Sequence, residues 1–338
     1  MININTKSSK ALSICIPTLN RPEKIYNLLK LILPQINKSS VEIIITDNSS
    51  NDETEKKLEL VLKQNSNISY YKNNRNIGFA KNLKKAILHS SGNYIWMLSD
   101  DDIPNPKSIK KILNIIEMKK KGWIFFNFEK SNSKTSQVFY DNSIKSQESS
   151  LDSFVYKFGV WSSFMSTSII HSDVKNNLDS VKENNYFAYS LALVAGEKNG
   201  CSYINFPLIK RKIDNIAEHR FNKVGTYLFD FFDQIDVLIN NGSISYKTRN
   251  SLARQLFSGI IPLYLCKIKL KKQPMPPLKL VYLRHKRSLT FYSNILTIYL
   301  THRLLLRAAF VSLRMFNYII QNNNIKRATD FLLETAKK

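Results

Sequence analysis

The segment Tyr94-Ile95-Trp96-Met97-Leu98-Ser99-Asp100-Asp101-Asp102 decides the fold: a short apolar run ends in three consecutive carboxylates. Such a run reads as a buried strand. Three adjacent carboxylates at its end repel one another unless a cation or hydrogen-bond donors compensate them. A divalent ion bridging to a diphosphate is one compensation, because Mg2+ and Mn2+ take hard oxygen ligands. An Asp-rich turn ahead of a helix beginning near Pro106 is the alternative.

Working outward from that strand, the same unit recurs. Residues 12–17, 41–46, 68–71 and 123–128 read as strands, and residues 21–33, 53–64, 78–89 and 106–120 carry apolar residues at helical spacing. Pro22 suits a first helical turn, and the Asp47-Asn48-Ser49-Ser50-Asn51-Asp52 run supplies turn and capping chemistry before the helix at 53–64. Strands alternating with helices imply right-handed crossovers, so the expected fold class is α/β, with a mostly parallel mixed sheet flanked by helices. Ligands on such sheets bind beyond the carboxyl ends of the strands. Thr18 and Asn20, Asp47 and Asn48, the run Asn73 to Asn76, and the acidic triplet all fall at those ends.

Residues 130–150 read as a polar surface loop. A helix at 151–158, a strand at 163–170, a helix at 186–195 and a strand at 202–206 ahead of Pro207 follow. Beyond about residue 222 the strand signals fade; helices are expected at 224–238, 245–269 and 278–320, with a break at Pro274-Met275-Pro276-Pro277. The division expected is therefore an α/β domain over 1–220 and a basic, all-helical region over 221–338.

The turn Pro17-Thr18-Leu19-Asn20-Arg21 has no glycine, which excludes the dinucleotide fingerprint and the phosphate-cradling P-loop. Asp47 is placed to accept hydrogen bonds from a ribose or a base, or to cap the next helix. Four segments, 14–21, 43–52, 74–82 and 99–102, in that order and spacing, resemble glycosyltransferase family 2. The resemblance implies a nucleotide-diphospho-sugar transferase fold, with the donor held among Pro17, Thr18, Asn20, Arg21, Asp47, Asn48, Arg75, Asn76, Gly78, Asn82, Asp100 and Asp101. It also implies Mn2+ or Mg2+ on Asp102, with Asp100 facing the ribose or sugar as a catalytic group.

One departure from the family stands out. Inverting members place Glu-Asp ahead of a Gly and a later Pro; here Gly200 and Pro207 fit, but Ala188-Tyr189 occupies the acidic position. Neither is an effective base for an acceptor hydroxyl. Either another carboxylate serves (Glu183, Glu197, Asp214 or Glu218, with Asp214 preferred), or the anomeric configuration is retained. His219, as a second metal ligand, and Arg220 are lid candidates, against an ordinary solvated loop at a domain junction. Trp161 is read as a sugar-stacking ring or as core. The overall plan is similar to that of enterobacterial abequosyltransferases, which implies a CDP-sugar donor, abequose passing to mannose on a lipid-diphosphate-linked O-antigen oligosaccharide. Donation of rhamnose, galactose or another deoxysugar by an inverting enzyme, and a non-catalytic polyanion- or membrane-binding protein, stand as alternatives.

Composition bounds these readings. The 338 residues carry 50 Lys+Arg against 26 Asp+Glu, a net charge of +24, with 43% hydrophobic residues, enough for a large core and against disorder. Cys15, Cys201 and Cys266 are widely spaced and form neither a disulfide framework nor a zinc motif. Residues 267–338 contribute +13 of the charge. Arg303, Arg307 and Arg314 fall within about 40° of one another on a helical wheel, which suits an anionic membrane surface, or else a solvated face of helices packed on the rest. No nucleic-acid module accompanies the charge. No secretory signal or run of 18 apolar residues is read, so the expected location is cytoplasmic, peripheral on the inner face of the membrane.

Overall fold

The computed structural model describes residues 10–37, 39–48, 53–131, 136–140, 143–212, 229–258, 265, 278–285 and 297–300. Contacts divide the chain into two units, Met1–Ile216 with Asp230–Arg249, and Ala217–Phe229 with Asn250–Lys338. The site lies wholly in the first.

That unit begins with β1 (Leu12–Thr18), α1 (Pro22–Ile32), β2 (Val41–Asp47), α2 (Glu53–Gln64), β3 (Ile68–Lys72), α3 (Phe79–His89) and β4 (Tyr94–Met97). It continues through β5 (Ile103–Pro104), α4 (Ser108–Lys119), β6 (Trp123–Ser131), β7 (Ser136–Val138), β8 (Gln147–Ser149), α5 (Leu151–Phe158), β9 (Ser168–His171), α6 (Phe187–Asn199) and β10 (Cys201–Lys212). One sheet runs β3-β2-β1-β4-β9-β6-β10-β5, with β7 on β6 and β8 on β10. β3, β2, β1 and β4 pair in parallel, as do β6 and β10. β9 is antiparallel to both β4 and β6, so these two point the same way across it.

Alternation along β1 and β2 sorts the two faces. Ile14, Ile16, Ile43 and Ile45 join the apolar stripes of α1 (Ile25, Leu28, Leu29, Ile32) and α4 (Ile109, Ile112, Ile115, Ile116) in one core cluster. α3 lies against β1 and β2. All ten residues from Phe187 to Gly196 of α6 are buried, as expected of a helix apolar on every side.

Three sequence-based expectations need correction. The polar segment 130–150 is not simply a loop but contains β7 and β8, which pair antiparallel to β6 and β10; antiparallel strands admit polar residues because one face can stay solvated. The strand expected over 163–170 forms only from Ser168; before it the chain winds through two 3-10 turns, Gly159–Ser163 and Met165–Thr167. β10 does not stop at Pro207 but runs through it, with register shifts on both sides; a bulge is where a strand tolerates a residue lacking its N–H.

After Lys212 the described elements are all helical: α7 (Phe231–Asn240), Tyr246–Ser258, Leu278–His285 and Thr297–Leu300. The Pro274–Pro277 break, Arg303, Arg307 and Arg314 lie outside the described residues, as does the stretch around residue 220 where the sequence suggests a division.

Candidate active site

Pro17 explains how the site opens. Leu98 donates its backbone N–H to Cys15 O at 3.0 Å, so Cys15 and, by parity, Pro17 turn their backbone groups toward β4. β4 has ended there, since its last partner is Cys15 against Met97. The missing N–H therefore costs no ladder bond, and the chain after β4 is free to fold across the end of β1.

It does so as the acidic triplet. Asp100 is 4% exposed; Thr18 donates its hydroxyl to Asp100 Oδ2 at 2.7 Å, and Arg21 donates Nη1 to Asp100 Oδ1 at 2.7 Å. Burial pushes the Asp100 carboxyl above its ordinary value, even against the Thr18 bond and the Arg21 charge. Burial would raise Asp101 as well, but the Ser99 hydroxyl, Arg21 and Lys24 outweigh it and hold that carboxyl below the usual range. Asp102 accepts from the Ser166 hydroxyl at 2.5 Å. The repulsion implied by three neighbouring carboxylates is thus relieved by donors and cations of the chain itself.

Ser166 is the participant that the sequence gives no signal for. It also accepts the Ser99 N–H at 3.0 Å, while its carbonyl accepts the Trp96 indole N–H at 2.8 Å. A buried serine in a 3-10 turn, 64 residues after Asp102, thereby fixes the exit of β4.

The exits of β2 and β3 are built differently. Asn73 donates its side-chain amide to Asn48 Oδ1 at 3.0 Å and Asn82 Oδ1 at 2.8 Å. Asn48 donates to Asn76 Oδ1 at 2.9 Å and accepts the Ile77 N–H at 3.0 Å. Asn82 donates to Thr46 O at 2.8 Å. Asp47, fully buried beside Thr18 in the register, accepts the Tyr70 hydroxyl at 2.5 Å. Asn48 and Asn82, both buried, hold the loop between β3 and α3 onto the rim. Gly78 ends that loop at φ +85° and ψ 161°, a region closed to side chains. Arg75 stands exposed on it. Asn20 takes φ +50° in the turn that delivers Arg21.

The structure thus gathers Pro17, Thr18, Asn20, Arg21, Asp47, Asn48, Arg75, Asn76, Gly78, Asn82 and Asp100–Asp102 at the exits of four strands. Asp214, Glu218, His219 and Arg220 lie outside the described residues. Glu183 is engaged by Lys84 at 2.9 Å and Lys81 at 4.0 Å. Glu197, near the end of the helix that leads into β10, sits toward the opposite end of the sheet from these exits and accepts from Asn241 and Ser243. Tyr189, at the position that is acidic in inverting members, is buried and stacks on Phe231 at 5.2 Å. Burial pushes its phenol far up, so it holds its proton. Among the described residues, no group of three or more His, Cys, Asp and Glu is arranged around a metal. Asp102 alone still suits Mg2+ or Mn2+, which are commonly held by one or two carboxylates together with substrate phosphates.

This sheet order and carboxyl-end rim define the nucleotide-diphospho-sugar transferase fold. S. aureus TarS 1–349 shares it with a TM-score of 0.58 at 14% identity, over 77% of each chain. Mannosyltransferase PcManGT from Pyrobaculum calidifontis, in complex with GDP-Man and Mn2+, gives 0.50 at 12% identity over 98% of this chain and 81% of that one. Residues 13–179 match the glycosyl transferase family 2 model, so this stretch of the chain carries a domain of that type. Abequosyltransferase RfbV of Salmonella typhimurium is 37% identical over 94 residues, 27% of this chain and 28% of that protein. An uncharacterized glycosyltransferase of Methanocaldococcus jannaschii is 30% identical over 126 residues, 36% of this chain and 43% of its own. The chain thus spans less than half the length of these curated relatives.

Proposed function

We propose that the protein transfers a hexosyl or deoxyhexosyl group from a nucleotide-diphospho-sugar to an acceptor hydroxyl. The observation that carries this is the rim where Thr18, Arg21 and Asp100–Asp102 meet, on a family 2 domain. Arg21 is the member open to solvent: its side chain is 44% exposed and long enough to leave Asp100 for a diphosphate, to which a guanidinium offers a planar fork. Release of Arg21 frees an Asp100 oxygen for a ribose or sugar hydroxyl. Asp102 would hold Mn2+ or Mg2+ together with the donor's phosphates. Bound there, the ion supplies charge neutralisation to the diphosphate leaving group. Asp47, kept in place by Tyr70, and the asparagine-held loop with Arg75 close the nucleotide side.

The finer reading is a CDP-sugar donor, abequose passing to mannose on a lipid-diphosphate-linked oligosaccharide, with the chain peripheral on the inner face of the cytoplasmic membrane. It is supported by the RfbV likeness, by the buried phenol where an inverting base would stand, and by the basic C-terminal sequence. Among the described residues no helix is long and apolar enough to cross a membrane. The test is a thermal-shift screen of CDP, UDP, GDP and dTDP with Mn2+. A stabilisation confined to one nucleotide and dependent on the ion names the donor class; no stabilisation by any of them removes the reading.

A further inference from the structure

Trp161 is 41% exposed, whereas the other two tryptophans, Trp96 and Trp123, are fully buried. It lies in the first of the two 3-10 turns. The Phe164 N–H donates to Trp161 O at 3.2 Å and the Thr167 N–H to Phe164 O at 3.2 Å, so both turns are tightly wound. Five residues of such chain span on the order of 10 Å. The indole is thereby tied close to Ser166, whose hydroxyl reaches Asp102.

What lies beneath the ring is rigid. Trp161 packs on Phe139 at 4.7 Å between centroids, and Phe139 stacks on Phe128 of β6 at 4.6 Å. Phe139 donates its backbone N–H to Phe128 O at 2.8 Å. The next residue is pinned three ways: Asn127 donates to Tyr140 O at 2.7 Å, the Tyr140 N–H donates to Asn127 Oδ1 at 3.1 Å, and the Tyr140 hydroxyl donates to Phe158 O at 2.9 Å. An exposed aromatic held in advance by its neighbours loses little freedom when a ligand arrives.

We infer that Trp161 is the platform on which the acceptor sugar stacks. A hexopyranose presents a face of C–H groups that suits the electron-rich face of an indole, while its rim hydroxyls stay solvated or point to polar neighbours. Position in the sheet selects the acceptor rather than the donor. The nucleotide side is built on β3, β2 and β1, the acidic triplet leaves β4, and Trp161 stands beyond it, over Phe128 of β6. A pyranose on the indole would thus sit on the same side of the sheet order as the acidic triplet, a short stretch of chain from the Ser166 hydroxyl that bonds Asp102. This inference rests on the glycosyltransferase reading for the word acceptor, but not for the sugar site itself.

The test uses the full chain as wild type, Trp161→Ala and Trp161→Phe. Saturation-transfer NMR is recorded with methyl α-D-mannopyranoside, methyl α-D-galactopyranoside and methyl α-L-rhamnopyranoside, alongside the nucleotide thermal-shift screen. At least one glycoside gives saturable transfer to its ring protons in the wild type. That binding weakens about tenfold in Trp161→Ala, the scale of one aromatic contact, and recovers in part in Trp161→Phe. The nucleotide-induced shift stays the same in all three proteins. No saturable glycoside signal, equal binding by the Ala variant, or parallel loss of the nucleotide shift in that variant overturns the platform. If no nucleotide stabilises the wild type while glycoside binding still needs Trp161, the donor reading fails and the sugar site stands.

Discussion

Two groups of strand exits on the same rim, separated by β1, are held by opposite means. Beyond β2 and β3, four asparagines pair amide to amide, with Lys85 donating to Asn73 Oδ1 at 2.8 Å, so the loop over 73–78 is fixed mainly by neutral groups. Beyond β4, three carboxylates are balanced by Arg21, Lys24 and three hydroxyls. An amide network bonded within itself holds its shape before any ligand arrives. An acidic cluster whose main cation is nearly half exposed can exchange that partner for a ligand. One side of the rim is held in a fixed shape, and the other can exchange partners.

The contrast is open to direct attack. Asp102→Ala is expected to lower transfer by about 10³-fold, the cost of removing one element of charge stabilisation, while the melting temperature barely moves; comparable loss of stability would place Asp102 with the scaffold. Asn82→Ala is expected to reverse that pattern, costing about 2 kcal/mol through stranded amide and carbonyl partners, read from urea unfolding. Gly78→Ala is expected to cost roughly 1–3 kcal/mol from backbone strain alone, since a Cβ there meets nothing within 4 Å.

Asp100→Asn is the smallest in stability and the sharpest in sign. Because burial raises the Asp100 carboxyl, the folded state binds its proton more tightly than the unfolded chain does. Its contribution to stability is fully present below the ordinary carboxyl range and is lost as pH rises through the raised value. The Asn variant should therefore show a flatter dependence of melting temperature on pH across that window. A slope unchanged from the wild type would mean that Arg21 and Thr18 fully offset the burial.

Much of this was legible in the sequence, and the limits are instructive. The helix at Glu53–Gln64 and the strand beginning at Val41 follow from local periodicity and turn residues, which lie within a dozen positions of one another. Pro17, Thr18, Asp47 and the triplet are at strand exits because apolar runs stop there. Asn73 as hub of the amide network is less legible, since an asparagine in a turn looks the same whether it bonds water or three neighbours. Ser166 is invisible for a stronger reason: its partners are 64 and 67 residues away. The apolar Phe164 and Met165 make the sequence look strand-like from 163, although these residues serve turns and the strand begins at Ser168.

The antiparallel β9, set between β4 and β6, governs the order of assembly. β1 to β4 can pair as soon as they leave the ribosome, but they gain no strand on their β4 side until residues 168–171 arrive, although β6 is made some 40 residues earlier. During that interval β4 is an open edge, a template for unwanted pairing, and closure waits on a long-range contact. The same late segment brings Ser166 to the acidic exit. In the nascent chain, completing the seam and bringing Ser166 to Asp102 are therefore expected to be one step.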